Sequence, residues 1–289
     1  CPSIQSSGRL RVCGAAWVGI ENDCSRTTEM TTQEHMPRLS ALVVAHNEED
    51  QLDDCLAALR FADEIVVVLD RCSDGSEEIA RAHAARIETG AWEIEGARRN
   101  RGIEICSGDW ILEVDADERV TPDLAKDIRA TIVDAPYGHF LIPFHNYVGD
   151  RLVEFGWGAS WGVSATVRLF ANDVNRGPAK ICGDQRIHTS SVLKGELGRL
   201  KAPMIHYVDR NISDMIHRLD RYTSARARDL RESGDIGSFR HNLRRIFSRF
   251  WKCYVARRGY REGQYGFLIA LMASLYPILS YLKAHLEDE

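Results

Sequence analysis

Two carboxylates with the spacing of a metal site stand near the middle of the chain. Asp115 and Asp117 close the stretch WILEVDAD (110–117), whose apolar character predicts a buried β-strand. Side chains two residues apart on an extended chain point to the same side. Carboxylates so placed can hold a hard divalent cation, Mn²⁺ or Mg²⁺, while the phosphates of a substrate complete its coordination. The alternative is an acidic loop that only caps a strand, because Asp-x-Asp is a common pattern.

The elements that would position this pair alternate between apolar strands and amphipathic helices. Repeated strand–helix units predict an α/β fold with a doubly wound, mainly parallel sheet, whose ligands bind at the carboxyl ends of the strands. Strands are predicted at 39–45, 64–70, near 86–89, 110–117, 139–148 and 165–170. Helices are predicted at 48–60, 77–85, 95–107 and 121–133, and throughout the region after 211.

Polar motifs follow the other predicted strands. The first strand runs into VVAHNEE (43–49), the second ends at Asp70, and ARRN (97–100) precedes the strand of the carboxylate pair. The order and spacing of these motifs resemble an inverting family 2 glycosyltransferase of the GT-A fold, especially the branch that adds glucose to the lipopolysaccharide inner core. The similarity includes GDWILEVDADERV (108–120), RYTSARA (221–227) and RRGYREGQYGFLIAL (257–271), and it extends from about Leu39 to the end of the chain.

The resemblance implies a role for each strand end in binding a nucleotide-sugar donor. Ala45, Asn47 and Glu48 would lie beside the base and ribose, and Asp70 would accept a hydrogen bond from one of them. The alternative for Asp70 is a carboxylate that caps the next helix.

For the donor's diphosphate, the resemblance points to a metal and an arginine. Arg98 or Arg99 would approach the phosphates, for which a guanidinium fork is well suited, although a solvated helix face would also explain both arginines. Asp115 would touch the sugar or ribose and share the metal, and Asp117 would be the main metal ligand. The implied cofactor is Mn²⁺ or Mg²⁺, which stabilises the departing nucleoside diphosphate.

An inverting transfer also needs a base that takes the proton of the acceptor hydroxyl. The corresponding segment here is CGDQRIHT (182–189), in which Asp184 is our first candidate and His188 our second. Related enzymes usually read His-Glu where this chain has His188-Thr189. The nearby Trp157 and Trp161 could stack on sugar faces or simply pack beneath their glycine-rich loop.

The C-terminal region differs from the rest in charge. Residues 210–262 hold 14 Lys and Arg against 6 Asp and Glu, a net of +8, which leaves 23 against 36, a net of −13, for the rest of the chain. The pattern at 243–255 is that of an interfacial membrane helix, or of a helix packed on the core with a solvated basic face. Residues 263–282 hold no charge, which favours a re-entrant or surface-lying helix, with a membrane span as second choice.

These observations predict three regions: a poorly ordered segment at 1–36, a GT-A catalytic domain at 37–208 and a helical, membrane-associating region at 209–289. The expected partners are a UDP-hexose, a lipid-linked saccharide and an anionic membrane surface. The overall charge of −5 gives no reason to expect nucleic acid. Because the expected partners include a lipid-linked saccharide and a membrane surface, the expected location is cytoplasmic, at the inner face of the cell membrane.

Two other functions remain open from the sequence. A sugar-phosphate nucleotidyltransferase would carry a glycine-rich, basic loop after its first strand, where this chain has HNEE (46–49). A non-catalytic membrane-associated scaffold with a degenerate nucleotide fold would not need the intact pair of Asp115 and Asp117.

Overall fold

The chain folds around a mixed β-sheet that its helices cover. The computed structural model describes residues 36–135, 138–158, 161–173, 177–178, 180–183 and 191–287. The strands are β1 (Leu39–Ala45), β2 (Glu64–Asp70), β3 (Arg86–Gly90), β4 (Trp110–Asp115), β5 (Glu118–Arg119), β6 (Gly138–Val148), β7 (Arg151–Val153), β8 (Ala165–Asp173), β9 (Gly177–Pro178), β10 (Lys180–Cys182), β11 (Ser191–Leu193), β12 (Glu196–Arg199) and β13 (Met204–Asp209). The α-helices are α1 (Glu49–Ala57), α2 (Ser76–Ala82), α3 (Glu95–Ile105), α4 (Pro122–Asp134), α5 (Ile212–Ser233), α6 (Phe239–Trp251) and α7 (Gln264–Leu286).

The main sheet has the order β3-β2-β1-β4-β8-β6-β13-β5. Its first four strands are parallel, which confirms the α/β fold expected from residues 39–117. The second half is mixed, because β8 runs antiparallel to both β4 and β6 while β13 runs parallel to β6. Consequently the start of β5 and the middle of β13 are brought beside the carboxyl end of β4.

Apolar periodicity explains how the parallel half is built. All seven residues of β1 are buried, as expected for a central strand covered on both faces. Helix α4 buries Leu124, Ile128 and Ile132, which are four residues apart and lie on one face. The same helix begins as its sequence predicts: the Thr121 side chain accepts a hydrogen bond from the backbone N–H of Leu124, and Pro122 occupies the first turn.

The C-terminal helices form a second hydrophobic core together with residues from 148 to 161. After α6 the chain passes through a π-helical turn, Lys252–Ala256, and a 3₁₀ turn, Gly259–Glu262, before α7 begins. Helix α7 supplies Ile269, Ala270 and Ala273 to this core, where they meet Trp157 and Trp161. Both tryptophans are therefore packing residues, and neither presents a face on which a sugar could stack.

Helix α7 contains the uncharged stretch that the sequence singled out. Within the described residues it is the one helix long and apolar enough to cross a membrane, yet 56% of its most apolar window is buried inside the protein. Its neighbours α5 and α6 cover it. Burial of this kind is typical of the central helix of a helical layer, so length and hydropathy alone give little support for a span.

Candidate active site

The polar residues predicted to act together do converge at one edge of the sheet. Asp115 is the last residue of β4, Asp70 is the last residue of β2, and Asn47 and Glu48 lie in the loop that follows β1. These strands are adjacent and parallel, so their carboxyl ends meet at the same edge.

Three potential metal ligands lie together at this edge. One donor atom from each of Asp117, Glu118 and His206 falls within 4.8 Å of the other two. Nε2 of His206 is 3.5 Å from Oδ2 of Asp117. Carboxylate oxygens suit Mn²⁺ and Mg²⁺, and an imidazole nitrogen, a softer ligand, favours the transition metal of the two. The residues present therefore fit a divalent cation. Asp117, predicted as the main ligand, lies in this group beside His206, which the sequence motif did not reveal.

Glu118 is less available as a ligand than its two neighbours. It is buried, Arg168 donates a hydrogen bond to Oε1, and the backbone N–H of Asp115 donates to Oε2 at 3.0 Å. Burial raises the pKa of Glu118 to about 7; the charge of Arg168 opposes this shift and that of Asp115 adds to it. With both oxygens engaged, Glu118 fixes the turn between β4 and β5, on which Asp117 lies.

His206 is oriented by Asn146 on the neighbouring strand β6. The amide nitrogen of Asn146 donates to the backbone carbonyl of Val163 at 2.9 Å, so its Oδ1 faces the imidazole, 2.9 Å from Nδ1 of His206. Nδ1 must then carry a proton, so Nε2 is the nitrogen that faces Asp117. Burial would lower the pKa of His206, but the hydrogen bond to Asp117 and its charge outweigh burial and raise that pKa; a bound cation would take the place of the Nε2 proton. The pair thus has the outer hydrogen bond that metal-binding histidines ordinarily make.

Asp115 occupies a different environment from Asp117. Arg99 donates to its Oδ1 at 2.9 Å, and Arg168 donates to its Oδ2. Burial would raise the pKa of Asp115, but the charges of Arg168 and Arg99 outweigh it and hold that pKa well below its usual range. Of the two predicted metal ligands, the structure thus places Asp117 in the ligand cluster and Asp115 in an ion-pair network.

That network is a further feature of the site that the motifs did not reveal. Arg168 on β8 reaches Asp115 and Glu118, and Glu113 on β4 is fully buried between Arg99 and Lys180. The local signal was a charged residue inside an apolar strand, Arg168 in TVRLF (166–170) and Glu113 in WILEV (110–114). Buried charges require partners, so each of these strand positions indicated an ion pair.

Asp70 is buried and receives several hydrogen bonds. Arg71 donates through Nε and Nη2 at 3.0 and 3.1 Å, Nη1 of Arg98 donates at 3.2 Å, and the backbone N–H of Trp92 donates at 3.0 Å. Burial acts to raise the pKa of Asp70, but the bonds from Arg71 and Trp92 prevail and lower it. Arg98 therefore lies beside Asp70, whereas Arg99 lies beside Asp115, Glu95 and Glu113.

The loop after β1 holds Asn47 and Glu48 in place. Asn47 has a φ of 56°, in the left-handed region that asparagine tolerates better than most residues, and its Oδ1 accepts a hydrogen bond from the backbone N–H of Ser73 at 2.8 Å. The pKa of Glu48 is raised to about 7, first by burial and then by the negative charge of Asp117. Ala45 is buried at the end of β1, and its carbonyl is 3.6 Å from Sγ of Cys72.

The two candidates for the catalytic base, Asp184 and His188, lie outside the described residues. Their position relative to Asp117 therefore stays a prediction from the sequence.

Comparison with known proteins agrees with this fold. The parallel strands, the carboxylates at their ends and the adjoining ligand cluster define a GT-A-type α/β fold. Residues 40–156 match the model of the family described as Glycosyl transferase family 2. Residues 40–156 therefore form a family 2 glycosyltransferase domain.

Relatives match far beyond that domain. The chain is 25% identical over 259 residues to the lipopolysaccharide core biosynthesis glycosyltransferase LpsC of Rhizobium meliloti (strain 1021), covering 86% of this chain and 92% of LpsC. It is 23% identical to an uncharacterized glycosyltransferase of Rickettsia felis over 86% of this chain and 89% of the other. Among solved structures, Mycobacterium tuberculosis glucosyl-3-phosphoglycerate synthase with Mn²⁺ and UDP is 19% identical, with a TM-score of 0.33 over 38% of this chain and 44% of the other.

Proposed function

We propose that the chain is a metal-dependent, inverting glycosyltransferase that moves a hexose, most simply glucose, from a UDP-sugar to a lipid-linked saccharide such as lipopolysaccharide core. The observation that carries this proposal is the pairing of Asp117 with His206 at the edge where the parallel strands end. A carboxylate and an imidazole this close together would suit a divalent cation whose other coordination positions are left to substrate phosphates.

Asp117 and His206 would hold Mn²⁺ or Mg²⁺, and the bound ion would supply Lewis-acid stabilisation of the leaving diphosphate. The chain's other residues bind and orient the donor. Asp70 and the loop of Asn47 and Glu48 border the same edge, where hydrogen bonds to the base and ribose are available. Arg98 is 3.2 Å from Asp70 and can turn its guanidinium toward a phosphate.

Inversion requires a base opposite the leaving group, and Asp184, with His188 as the second candidate, is proposed for this step. The base would accept the proton of the acceptor hydroxyl as its oxygen attacks the anomeric carbon and the bond to the diphosphate breaks. Asp115, held between Arg99 and Arg168, is positioned by charge and would contact the sugar or ribose without changing protonation.

The acceptor and location follow from the relatives and the C-terminal charge. LpsC, which matches over most of both chains, is named for lipopolysaccharide core biosynthesis. The core is assembled on a lipid, so an enzyme of this kind would work at the cytoplasmic face of the membrane. The net charge of +8 over residues 210–262 suits an anionic lipid surface.

The test is a donor and metal screen with the purified chain. UDP-glucose with Mn²⁺ should raise the melting temperature more than either alone, because a ligand at about 100 times its dissociation constant adds roughly 2.7 kcal/mol. Asp117→Asn should remove the metal-dependent part of that shift and abolish transfer to a lipid-linked core acceptor. Full transfer by wild type in metal-free buffer would refute the metal dependence.

A matched control is Asp123→Asn, whose carboxylate is 88% exposed in the first turn of α4 and has no proposed role in the site. It should behave as wild type in both measurements.

A further inference from the structure

Helix α6 presents an apolar stripe to solvent. Phe239, Leu243, Phe247 and Trp251 are spaced four residues apart, and all four are exposed. Phe247 retains 72% of its accessible surface and Trp251 64%. Successive positions four apart turn by only about 40° around a helix, so the four side chains form one continuous band.

A group of aromatic rings lies at the C-terminal end of α6, where the band ends. Phe250 and Tyr254 contact Phe267 of α7 with ring centroids 5.6 and 6.2 Å apart, and Tyr254 contacts Tyr260. Phe267 and Tyr260 are both about half exposed. An apolar patch of this extent on a protein surface indicates a contact with another phase or another molecule.

Basic side chains border the band. Residues 239–261 include eight Arg and Lys and no Asp or Glu. Arg240 and Arg244 on α6 and Lys252 just after it are exposed. In helical projection Arg240 and Arg244 lie about 100° and 140° from Phe239, along the edge of the apolar band. Exposed aromatic and aliphatic residues beside a purely basic sector are the composition of a helix that lies in the interface of an anionic bilayer.

We infer that α6, rather than the longer α7, is the surface by which the protein docks on anionic lipid. This inference deepens the proposed function, since it names the element that brings the enzyme to its lipid-linked acceptor. Helix α7 is largely buried between α5 and α6, so it supports the docking helix from beneath.

The charge of this surface favours an anionic bilayer as its partner over a second copy of the chain. A two-fold dimer through α6 would place the same basic sector of each copy opposite the other, because such interfaces bring one patch against itself. No acidic residue between 239 and 261 could compensate that repulsion. An anionic bilayer complements both parts of this surface: its acyl chains accept the apolar band, and its headgroups attract the basic side chains.

The experiment is co-sedimentation of the full chain with vesicles of phosphatidylcholine containing 30% phosphatidylglycerol, and with pure phosphatidylcholine vesicles as reference. Wild type should bind the anionic vesicles and lose that binding as salt is raised. Phe247→Ser/Trp251→Ser should weaken the partition at least about tenfold through lost apolar burial. Arg240→Glu/Arg244→Glu should weaken it by a similar factor, about tenfold or more, on anionic vesicles.

Matched controls are Val133→Ser, an exposed apolar residue on α4, and Arg81→Glu, an exposed arginine on α2. Both should sediment as wild type, and circular dichroism should show that all variants are folded. The inference is overturned if wild type stays in the supernatant, if the α6 variants bind like the controls, or if sedimentation velocity reveals a dimer that the α6 variants dissociate.

Metal-dependent UDP binding, measured by calorimetry on the same proteins, separates this inference from the proposed function. The α6 variants should bind UDP and Mn²⁺ like wild type. If the wild-type protein binds UDP but not vesicles, only the docking surface is refuted. If it binds vesicles but not UDP, only the proposed function is refuted.

Discussion

Nε2 of His206 lies 3.5 Å from Oδ2 of Asp117, although the two residues are separated by almost ninety positions in the chain. The contact exists because β13 pairs antiparallel with β5, which sets His206 opposite Glu118, the residue after Asp117. The sheet register thus brings the two proposed ligands together, and the hydrogen bond from Nδ1 of His206 to Asn146 orients the imidazole.

The first prediction concerns that outer hydrogen bond. Asn146→Ala removes the acceptor for Nδ1 of His206, so the ring loses its fixed tautomer, and Mn²⁺ affinity should fall by about 10–100-fold. His206→Ala removes the ligand itself and should weaken Mn²⁺ binding further. Titration calorimetry with Mn²⁺ in the presence of UDP measures both.

The control for this pair is Asn172→Ala, an asparagine whose side chain bonds to backbone carbonyls of Cys106 and Gly108 at the opposite end of β4. Its Mn²⁺ affinity should remain that of wild type. Unchanged affinity in Asn146→Ala would show that packing alone orients His206.

A second prediction separates the two carboxylates of the Asp-x-Asp pair. Asp115→Asn leaves Arg99 and Arg168 with an uncompensated charge and should lower the free energy of unfolding by about 3 kcal/mol or more. Asp117→Asn alters a side chain that is one-third exposed, and it should change unfolding by less than about 1 kcal/mol. Urea denaturation in metal-free buffer compares them directly; equal losses would contradict the division of roles.

Part of this architecture could be predicted from the sequence, because it depends on residues that are close together in the chain. Strands β1, β2 and β4 are mostly apolar, and Asp115 and Asp117 stand at the end of β4, so their position at the sheet edge is a consequence of adjacent residues. The start of α4 is likewise predicted by its capping residue Thr121 and by Pro122, which follows it. Each of these features depends on residues a few positions apart.

The remainder of the site depends on long-range pairing. Arg168 enters through the antiparallel insertion of β8 between β4 and β6, and nothing local in its strand specifies Asp115 and Glu118 as partners. His206 depends on the pairing of β13 with β5 and β6. The burial of the uncharged α7 stretch depends on α5 and α6, which a hydropathy pattern does not include.

A third prediction tests the ion-pair network around Arg168. Arg168→Met leaves Glu113, Asp115 and Glu118 with less positive charge and should cost about 3–5 kcal/mol of unfolding free energy. Adding Glu118→Gln removes one of the uncompensated carboxylates, so the double variant should be more stable than the sum of the single effects predicts. Chemical denaturation of the four proteins in the cycle gives the coupling, and strict additivity would mean that Arg168 and Glu118 act independently.

The last prediction concerns the close approach of α7 to the 3₁₀ turn before it. A Cβ on Gly266 would lie 1.7 Å from the backbone carbonyl oxygen of Gly259, a contact that no side-chain rotation can relieve. Gly266→Ala should therefore displace α7 and lower the unfolding free energy by about 3 kcal/mol, at the upper end of overpacking effects. Gly75→Ala is the matched control, because its Cβ would meet only the flexible end of Glu49 at 3.0 Å. Thermal denaturation of the two variants measures the difference, and a Gly266→Ala protein as stable as the Gly75→Ala protein would show that α7 is not seated on this turn.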